Sequence, residues 1–103
     1  MGQENNKKVQ IKEYESVARI FKLMANAKRL QILDAVKDKD VTVNELSKIL
    51  GVRKSNTSQH LAFLRYTELV TARRSGKNVF YRISNPKIID SLDVVRKLLN
   101  KNL

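Results

Sequence analysis

The sequence predicts a mainly α-helical domain with one β-hairpin, and three patterns along the chain support that prediction. Between residues 14 and 64 the apolar side chains recur every three or four positions, as on the buried face of amphipathic helices. The period then changes to two, because Val79, Tyr81 and Ile83 occupy every second position, as in a half-buried strand. Helical spacing returns after Pro86. Five helices and a two-stranded hairpin in this order are typical of a winged helix-turn-helix.

Capping residues mark the boundaries of the first three helices. The first begins near Tyr14, and Asn26 is placed to cap the second. Thr42 and Glu45 have the spacing of a capping box, which predicts that a short third helix begins there. Gly51 ends this helix, because glycine tolerates the positive φ of a helix C-terminus.

The fourth helix, predicted from Lys54 to about Glu68, completes a helix-turn-helix. Thr57, Leu61 and Leu64 are four and three residues apart and therefore share its buried face.

A hairpin and a last helix complete the domain. Ser75-Gly76-Lys77-Asn78 supplies turn residues between strands predicted over 70–74 and 79–83. Asn85-Pro86 then supplies the cap and the first-turn proline of a last helix with a broad apolar face.

The length and composition limit the chain to one domain. The 103 residues, 42% of them hydrophobic, suffice for a single core. We expect residues 13–103 to form this domain, with the first and last helices as its dimer interface, and the polar residues 1–12 to be a disordered tail.

Cysteine content and hydropathy exclude several kinds of site. The chain has no Cys and one His, so we expect no disulfide, no metal site and no cofactor. No apolar run approaches the ~20 residues that cross a bilayer, and the N-terminus lacks a signal-peptide pattern. We therefore expect a cytoplasmic protein without a membrane partner. No catalytic constellation is visible either, which argues against an enzyme.

The positive charge is concentrated in one segment. The chain carries a formal charge of +11, and residues 53–82 contain seven basic residues against one acid, Glu68. A surface that only needs to be soluble does not require this distribution, which favours a polyanionic partner, double-stranded DNA. The alternative is a solvated basic face.

Short hydrogen-bonding side chains cover the predicted solvent side of the fourth helix. Amide and hydroxyl groups of this kind read base edges in the major groove, and small neighbours permit close approach. The alternative is a merely polar exterior. The predicted base-reading residues are Ser55, Asn56, Ser58 and Gln59.

Basic residues around this helix and the hairpin tip are predicted to bind phosphate or to enter the minor groove. His60 is included as a packed or phosphate-bonding histidine. Of the hairpin aromatics, Phe80 and Tyr81 could stack on bases, although core packing suits Tyr81 better. The predicted cationic set is Arg53, Lys54, His60, Arg65, Arg73, Arg74 and Lys77.

The first and last helices carry more apolar surface than one small domain needs. A symmetric dimer would bury this surface and place two recognition helices about one DNA turn, ~34 Å, apart. The alternative is that the last helix covers its own core. The predicted interface residues are Val17, Ile20, Phe21, Ile88, Leu92, Val95 and Leu99.

Several segments together resemble the arsenic-repressor (ArsR/SmtB) family. Residues 23–33, LMANAKRLQIL, are similar to its second-helix signature. Residues 45–52 and 55–64 resemble its helix-turn-helix, and residues 69–81 its wing. The resemblance implies a homodimeric winged helix repressor that binds an inverted-repeat operator and leaves it when an effector binds. It also places Ser55, Asn56, Ser58 and Gln59 where the family reads DNA.

The chain departs from the family pattern at informative positions. Ala27 replaces the usual Pro, and Arg53 replaces a frequent capping Ser, so we expect Ser55 to cap the helix instead. Thr42 and Asn44 stand where metal-sensing members carry a Cys-x-Cys pair. Asn85 and Lys87 stand where other members carry Asp and His zinc ligands. None of these four is a strong transition-metal ligand at neutral pH.

The sequence thus predicts a dimeric, sequence-specific DNA-binding regulator, a repressor that does not sense metal and is controlled by an unknown small molecule, a protein effector or its own abundance. One rival is an architectural protein that coats DNA through charge with little sequence preference. A second rival is a winged domain that binds RNA or another protein.

Overall fold

The fold is that of a winged helix-turn-helix with a three-stranded sheet. The computed structural model describes the backbone of residues 2–102 and the side chains of residues 10–100. Within this range it contains five helices and three strands, which confirms the predicted fold class and adds one strand. The elements are α1 (Gly2–Met24), α2 (Ala27–Ala35), β1 (Val41–Thr42), α3 (Val43–Leu50), α4 (Lys54–Tyr66), β2 (Val70–Ser75), β3 (Asn78–Ile83) and α5 (Lys87–Asn102).

Helix α1 is longer than predicted. It extends back to Gly2, so residues 2–12 are helical where the sequence predicts a disordered tail, and Met1 lies outside the described residues. The segment is rich in Gln, Glu and Lys, which lose little rotamer freedom in a helix. At the other end of α1, the predicted cap of α2 is confirmed, because the Asn26 side chain accepts a 3.1 Å hydrogen bond from the Arg29 N–H.

The helix-turn-helix is held by caps and one buried polar contact. The capping box of Thr42 and Glu45 is present at the start of α3, and Gly51 ends that helix with a φ of 68°. Between α3 and α4, the Ser47 hydroxyl donates to the Thr57 hydroxyl at 3.0 Å, and Thr57 donates to the Arg53 carbonyl. These bonds satisfy the buried hydroxyls and fix the angle at which α4 leaves the turn.

Helix α4 ends earlier than predicted, through a Schellman motif. The Leu69 N–H donates to the Leu64 carbonyl at 2.8 Å and the Glu68 N–H to the Arg65 carbonyl at 3.0 Å. Glu68 takes the left-handed position with a φ of 63°. Glycine usually occupies this position, so a strong end signal was absent from the sequence and the predicted end was placed too far along the chain.

The sheet includes a strand that was not predicted. Its order is β1-β3-β2, all antiparallel, with Val41 opposite Tyr81 and Thr42 opposite Phe80. A strand of two residues is too short to show a period in the sequence. Thr42 therefore belongs both to β1 and to the cap of α3, which joins the hairpin, or wing, directly to the helix-turn-helix.

One apolar core connects the helices to the base of the wing. Helix α5 lies on this core through Ile89, which is buried, and through Ile88 and Leu92, which are half-buried. Within the part of the chain that the structure describes, no helix is long and apolar enough to cross a membrane. The buried apolar residues are Ile32, Leu33, Val36, Val41, Leu46, Leu50, Leu61, Leu64, Leu69, Val70, Ile83 and Ile89.

Candidate nucleic-acid interface

The four predicted base-reading residues share the solvent side of α4. Thr57, Leu61 and Leu64 are at most 1% exposed and turn the opposite face of the helix into the core. Ser55, Asn56, Ser58 and Gln59 are all exposed. At 100° per residue, Ser55, Gln59 and Ala62 follow one line along the helix, opposite the buried face. The predicted readout face is therefore one continuous surface.

Tyr66 extends this line, and the sequence analysis assigned it no role. It lies four residues beyond Ala62, at the last position of α4, and is 88% exposed. Tyr66 is seven residues, or about two helical turns, from Gln59, and this spacing could have identified it as part of the same face of α4.

The start of α4 lacks the side-chain cap expected from Ser55. The cap position is Arg53, and within the described residues no side chain caps this helix. Ser55 lies inside the first turn, where its hydroxyl is exposed. The expectation that Ser55 replaces the missing cap is therefore wrong, and its hydroxyl stays available on the readout face.

The predicted cations at the wing lie on two opposite faces of the sheet. Val70, Ala72 and Arg74 alternate with Thr71 and Arg73 along β2, so Arg74 shares the core-side face with buried Val70. This inner face is also the side on which α4 packs. Arg74 is thus exposed on the same face of the wing as α4, Arg65 is exposed on α4 itself, and Lys77 is exposed at the tip.

Arg73 is engaged on the outer face. Its guanidinium forms a 3.0 Å ion pair with Asp40 and lies 5.3 Å from the centroid of the Phe80 ring. Nearby, Arg82 donates to the Asp38 carbonyl at 3.0 Å. These contacts tie the wing to the loop before β1, so the structure gives Arg73 an anchoring role and does not group it with the cations beside α4.

Arg29 joins three elements behind the readout face. Its guanidinium donates to the Leu23 carbonyl at the end of α1 and to Nδ1 of His60 on α4, each at 3.2 Å. It also lies 4.5 Å from the centroid of the Phe63 ring. The sequence analysis gave Arg29 no role, because the pattern contains no signal for a contact 31 residues away along the chain.

This contact fixes the protonation of His60. A guanidinium can only donate, so Nδ1 must carry the lone pair and the proton lies on Nε2. Burial lowers the pKa of His60, and the neighbouring charges of Arg29 and Lys28 lower it further. His60 is thus a packed, neutral histidine. Of the two roles predicted for it, packing agrees with this contact, and a bond to phosphate stays a prediction.

We expect protonation of His60 to destabilise the fold. Because its pKa is lower in the folded chain than the ordinary value of 6.5, its stabilising contribution is complete above that pH and is lost as the pH falls below it. Urea unfolding between about pH 7.5 and pH 5 should show a falling free energy of unfolding. In the His60→Gln variant, which has no titrating ring, this fall should be smaller. Equal slopes in the two proteins would contradict the assignment.

Thr42 and Asn85, two of the four positions where the family resemblance places metal ligands in sensing members, make structural contacts. The Thr42 side chain caps α3, and the Asn85 side chain accepts a 3.0 Å hydrogen bond from the Lys87 N–H. Within the described residues, no cluster of three or more His, Cys, Asp or Glu side chains could hold a metal ion.

The predicted dimer-interface residues divide into two groups. Ile20, Ile88 and Leu92 pack partly against the chain's own core, which is the alternative considered for the last helix. The others, Val17, Phe21, Val95 and Leu99, are 46–59% exposed. The same two helices also expose Ile11, Tyr14, Val94 and Leu98. Helices α1 and α5 thus leave an apolar surface uncovered.

The chain was compared with known proteins and structures. The family model "Bacterial regulatory protein, arsR family" matches residues 26–72. The regulator KmtR of Mycobacterium tuberculosis is 40% identical over 72 residues, 70% of this chain and 55% of KmtR. The transcriptional activator HlyU of Vibrio cholerae is 39% identical, covering 77% of this chain and 73% of HlyU. The transcriptional repressor PagR of Bacillus anthracis is 33% identical, covering 90% of each chain.

Solved structures agree with this assignment. The crystal structure of M. tuberculosis Rv0081 superposes with a TM-score of 0.76 at 38% identity, covering 85% of this chain and 89% of that one. The homodimeric winged helix-turn-helix DNA-binding domain Mb0332 of Mycobacterium bovis gives a TM-score of 0.78 at 29% identity, covering 90% and 86%. Fold, motif and sequence identity agree, and the chain belongs to the ArsR family of DNA-binding transcriptional regulators.

Proposed function

We propose that this regulator is a homodimeric repressor that binds an inverted-repeat operator through α4 and does not sense a metal ion. The observation that carries the proposal is the readout face. Neutral donors and acceptors share the exposed side of α4, with the exposed cations Arg65 on the same helix and Arg74 on the inner face of the wing. Cations hold DNA of any sequence, whereas the uncharged groups between them distinguish base edges.

Two properties of the molecule support the dimer. Its radius of gyration is 16.4 Å, whereas a compact domain of about 100 residues has about 13 Å. The excess agrees with a long α1 whose apolar side chains Val17 and Phe21 stay exposed. Pairing with a second copy would cover them, and the similar domain Mb0332 is homodimeric.

The chemistry of the sensor positions supports regulation without a metal. Thr42 and Asn85 already serve as structural acceptors, and neither residue type is a strong ligand for transition metals. A repressor of this kind would leave DNA in response to a small molecule or a protein.

Titration of two duplexes separates the proposed function from its rivals. The protein is titrated at ~150 mM salt with DNA from upstream of its own gene and with a scrambled duplex of equal length. A specific repressor should prefer its site by ~10³ or more. A ratio near one would favour the architectural rival, and preference for duplex RNA would favour the RNA-binding one.

Gln59 provides the sharpest test of base readout. Gln59→Ala should cost ~1–3 kcal/mol at one base position and relax selectivity there, because a bidentate amide contact with a base is lost. Selection from a randomised operator library measures this change position by position. Gln31→Ala, the same substitution at an exposed site on α2, should leave the profile unchanged. A uniform loss across all sequences in Gln59→Ala would show that Gln59 does not read a base.

A further inference from the structure

An open groove separates α4 from the inner face of the wing. It is lined by Ser58, Leu61, Ala62, Arg65 and Tyr66 of the helix and by Tyr81 of β3. Three of these side chains end in hydroxyl groups and one in a guanidinium. No acid lines the groove.

The polar groups in this groove are unused by the protein itself. Among the side-chain hydrogen bonds and ion pairs of the described residues, none involves Ser58, Arg65, Tyr66 or Tyr81. The buried atoms of the described side chains all have partners, so the groove donors face solvent and not a closed cavity. Hydroxyl and guanidinium donors that converge on one open groove suit an anion with several acceptor oxygens.

The position of the groove between α4 and the wing indicates which anion would bind there. On B-DNA, one sugar-phosphate strand separates the major groove from the adjacent minor groove. When α4 lies in the major groove and the wing tip with Arg74 and Lys77 reaches the minor groove, this strand must pass between α4 and β3. Ala62, an exposed residue with a short side chain in the lining of the groove, leaves room for a backbone to approach.

We infer that this groove clamps one phosphodiester strand of the duplex, with Tyr66 and Tyr81 donating hydroxyl hydrogen bonds to phosphate from its two walls beside Arg65. The inference rests on the proposed DNA-binding mode and adds two contact residues to it. Tyr81 combines this role with packing, because it is half-buried against the core and also lines the groove.

Phosphate contacts are common to every sequence, so the test uses a 30-base-pair duplex of random sequence. Tyr66→Phe and Tyr81→Phe remove only the hydroxyl oxygen. Each should weaken binding about tenfold or more per protomer, since a hydrogen bond to a charged oxygen is lost. Neither should change the dependence of affinity on salt, because no cation is removed. Arg65→Gln should instead make binding less sensitive to salt. The negative slope of log K against log salt should become shallower by about 0.9 per protomer.

Thr71→Val is the matched control, because it also removes one hydroxyl group. Thr71 is exposed on the outer face of β2, away from the groove and from the apolar surface of α1 and α5, and its variant should bind like the wild-type protein. On the preferred upstream duplex, where the binding register is fixed, methylphosphonate linkages at the two symmetry-related positions then locate the contact, because neutralising the clamped phosphates should abolish the difference between Tyr66→Phe and wild type.

The inference is overturned if Tyr66→Phe and Tyr81→Phe both bind the random duplex as Thr71→Val does. Far-ultraviolet circular dichroism and thermal unfolding of Tyr81→Phe separate a folding defect from a lost contact, and exposed Tyr66 tests the inference without that complication. Failure of the proposed function has a different signature, since the wild-type protein would then show no preference for any duplex sequence.

Discussion

Replacing Val95 and Leu99 together by Glu is expected to yield a folded monomer that binds its operator about 10³-fold more weakly. Both side chains are more than half exposed in the single chain, so their replacement removes little core packing. In a dimer, however, the four new carboxylates would be buried without partners, at high cost. The affinity falls because a monomer engages one half-site and loses the effective concentration that links two sites.

Light scattering and operator titration measure the two effects separately. Lys97→Glu is the matched control, because it lowers the net charge by the same amount as the double variant and lies at an exposed position on α5. This control should remain dimeric. A Val95→Glu, Leu99→Glu protein that stays dimeric and binds normally would show that α5 does not form the interface.

Salt is expected to have the other large effect. A dimer that makes ~6–10 phosphate contacts should lose ~10³–10⁵ in affinity between ~50 and ~200 mM salt, because condensed counterions are released from the DNA. The structure makes this prediction specific to one arginine of the wing. In Arg74→Ala the negative slope of log K against log salt should become shallower by about 1.8 per dimer, because two contacts of about 0.9 each are lost.

Arg73→Ala is the matched variant for this measurement. Arg73 already pairs with Asp40 and stacks on Phe80, so its removal should leave the slope nearly unchanged and lower thermal stability slightly. A partly exposed pair of this kind contributes at most about 1 kcal/mol. Equal losses of slope in Arg73→Ala and Arg74→Ala would show that both cations bind phosphate.

The sequence predicted those features that depend on local chemistry. The caps at Asn26, Thr42 and Gly51 were found because each is set by residues within one helical turn. The buried face of α4 was found because its period is regular. The end of α4 was misplaced because Glu68 adopts a conformation that glycine usually takes.

Contacts between distant segments could not be predicted in the same way. Arg73 and Arg74 are neighbours of identical type, and the burial of Val70, which shares a face of β2 with Arg74, decides which of them faces α4. The roles of Asp40 and Arg29 likewise depend on contacts 33 and 31 residues away. For the candidate site, the sequence therefore supplied the residue set, and the fold divided it into residues that flank α4 and residues that anchor the wing.

The short strand β1 gives the wing a fixed distance from the recognition helix. Thr42 pairs with Phe80 of the wing and caps α3 at the same time, while Asp40 holds Arg73 from the other side. A wing attached in this way is held at a fixed distance from α4. On a duplex bound as proposed, the DNA must adjust its minor-groove width to the protein, and the energy of that adjustment depends on base sequence. Base pairs that no side chain touches would then contribute to the choice of operator.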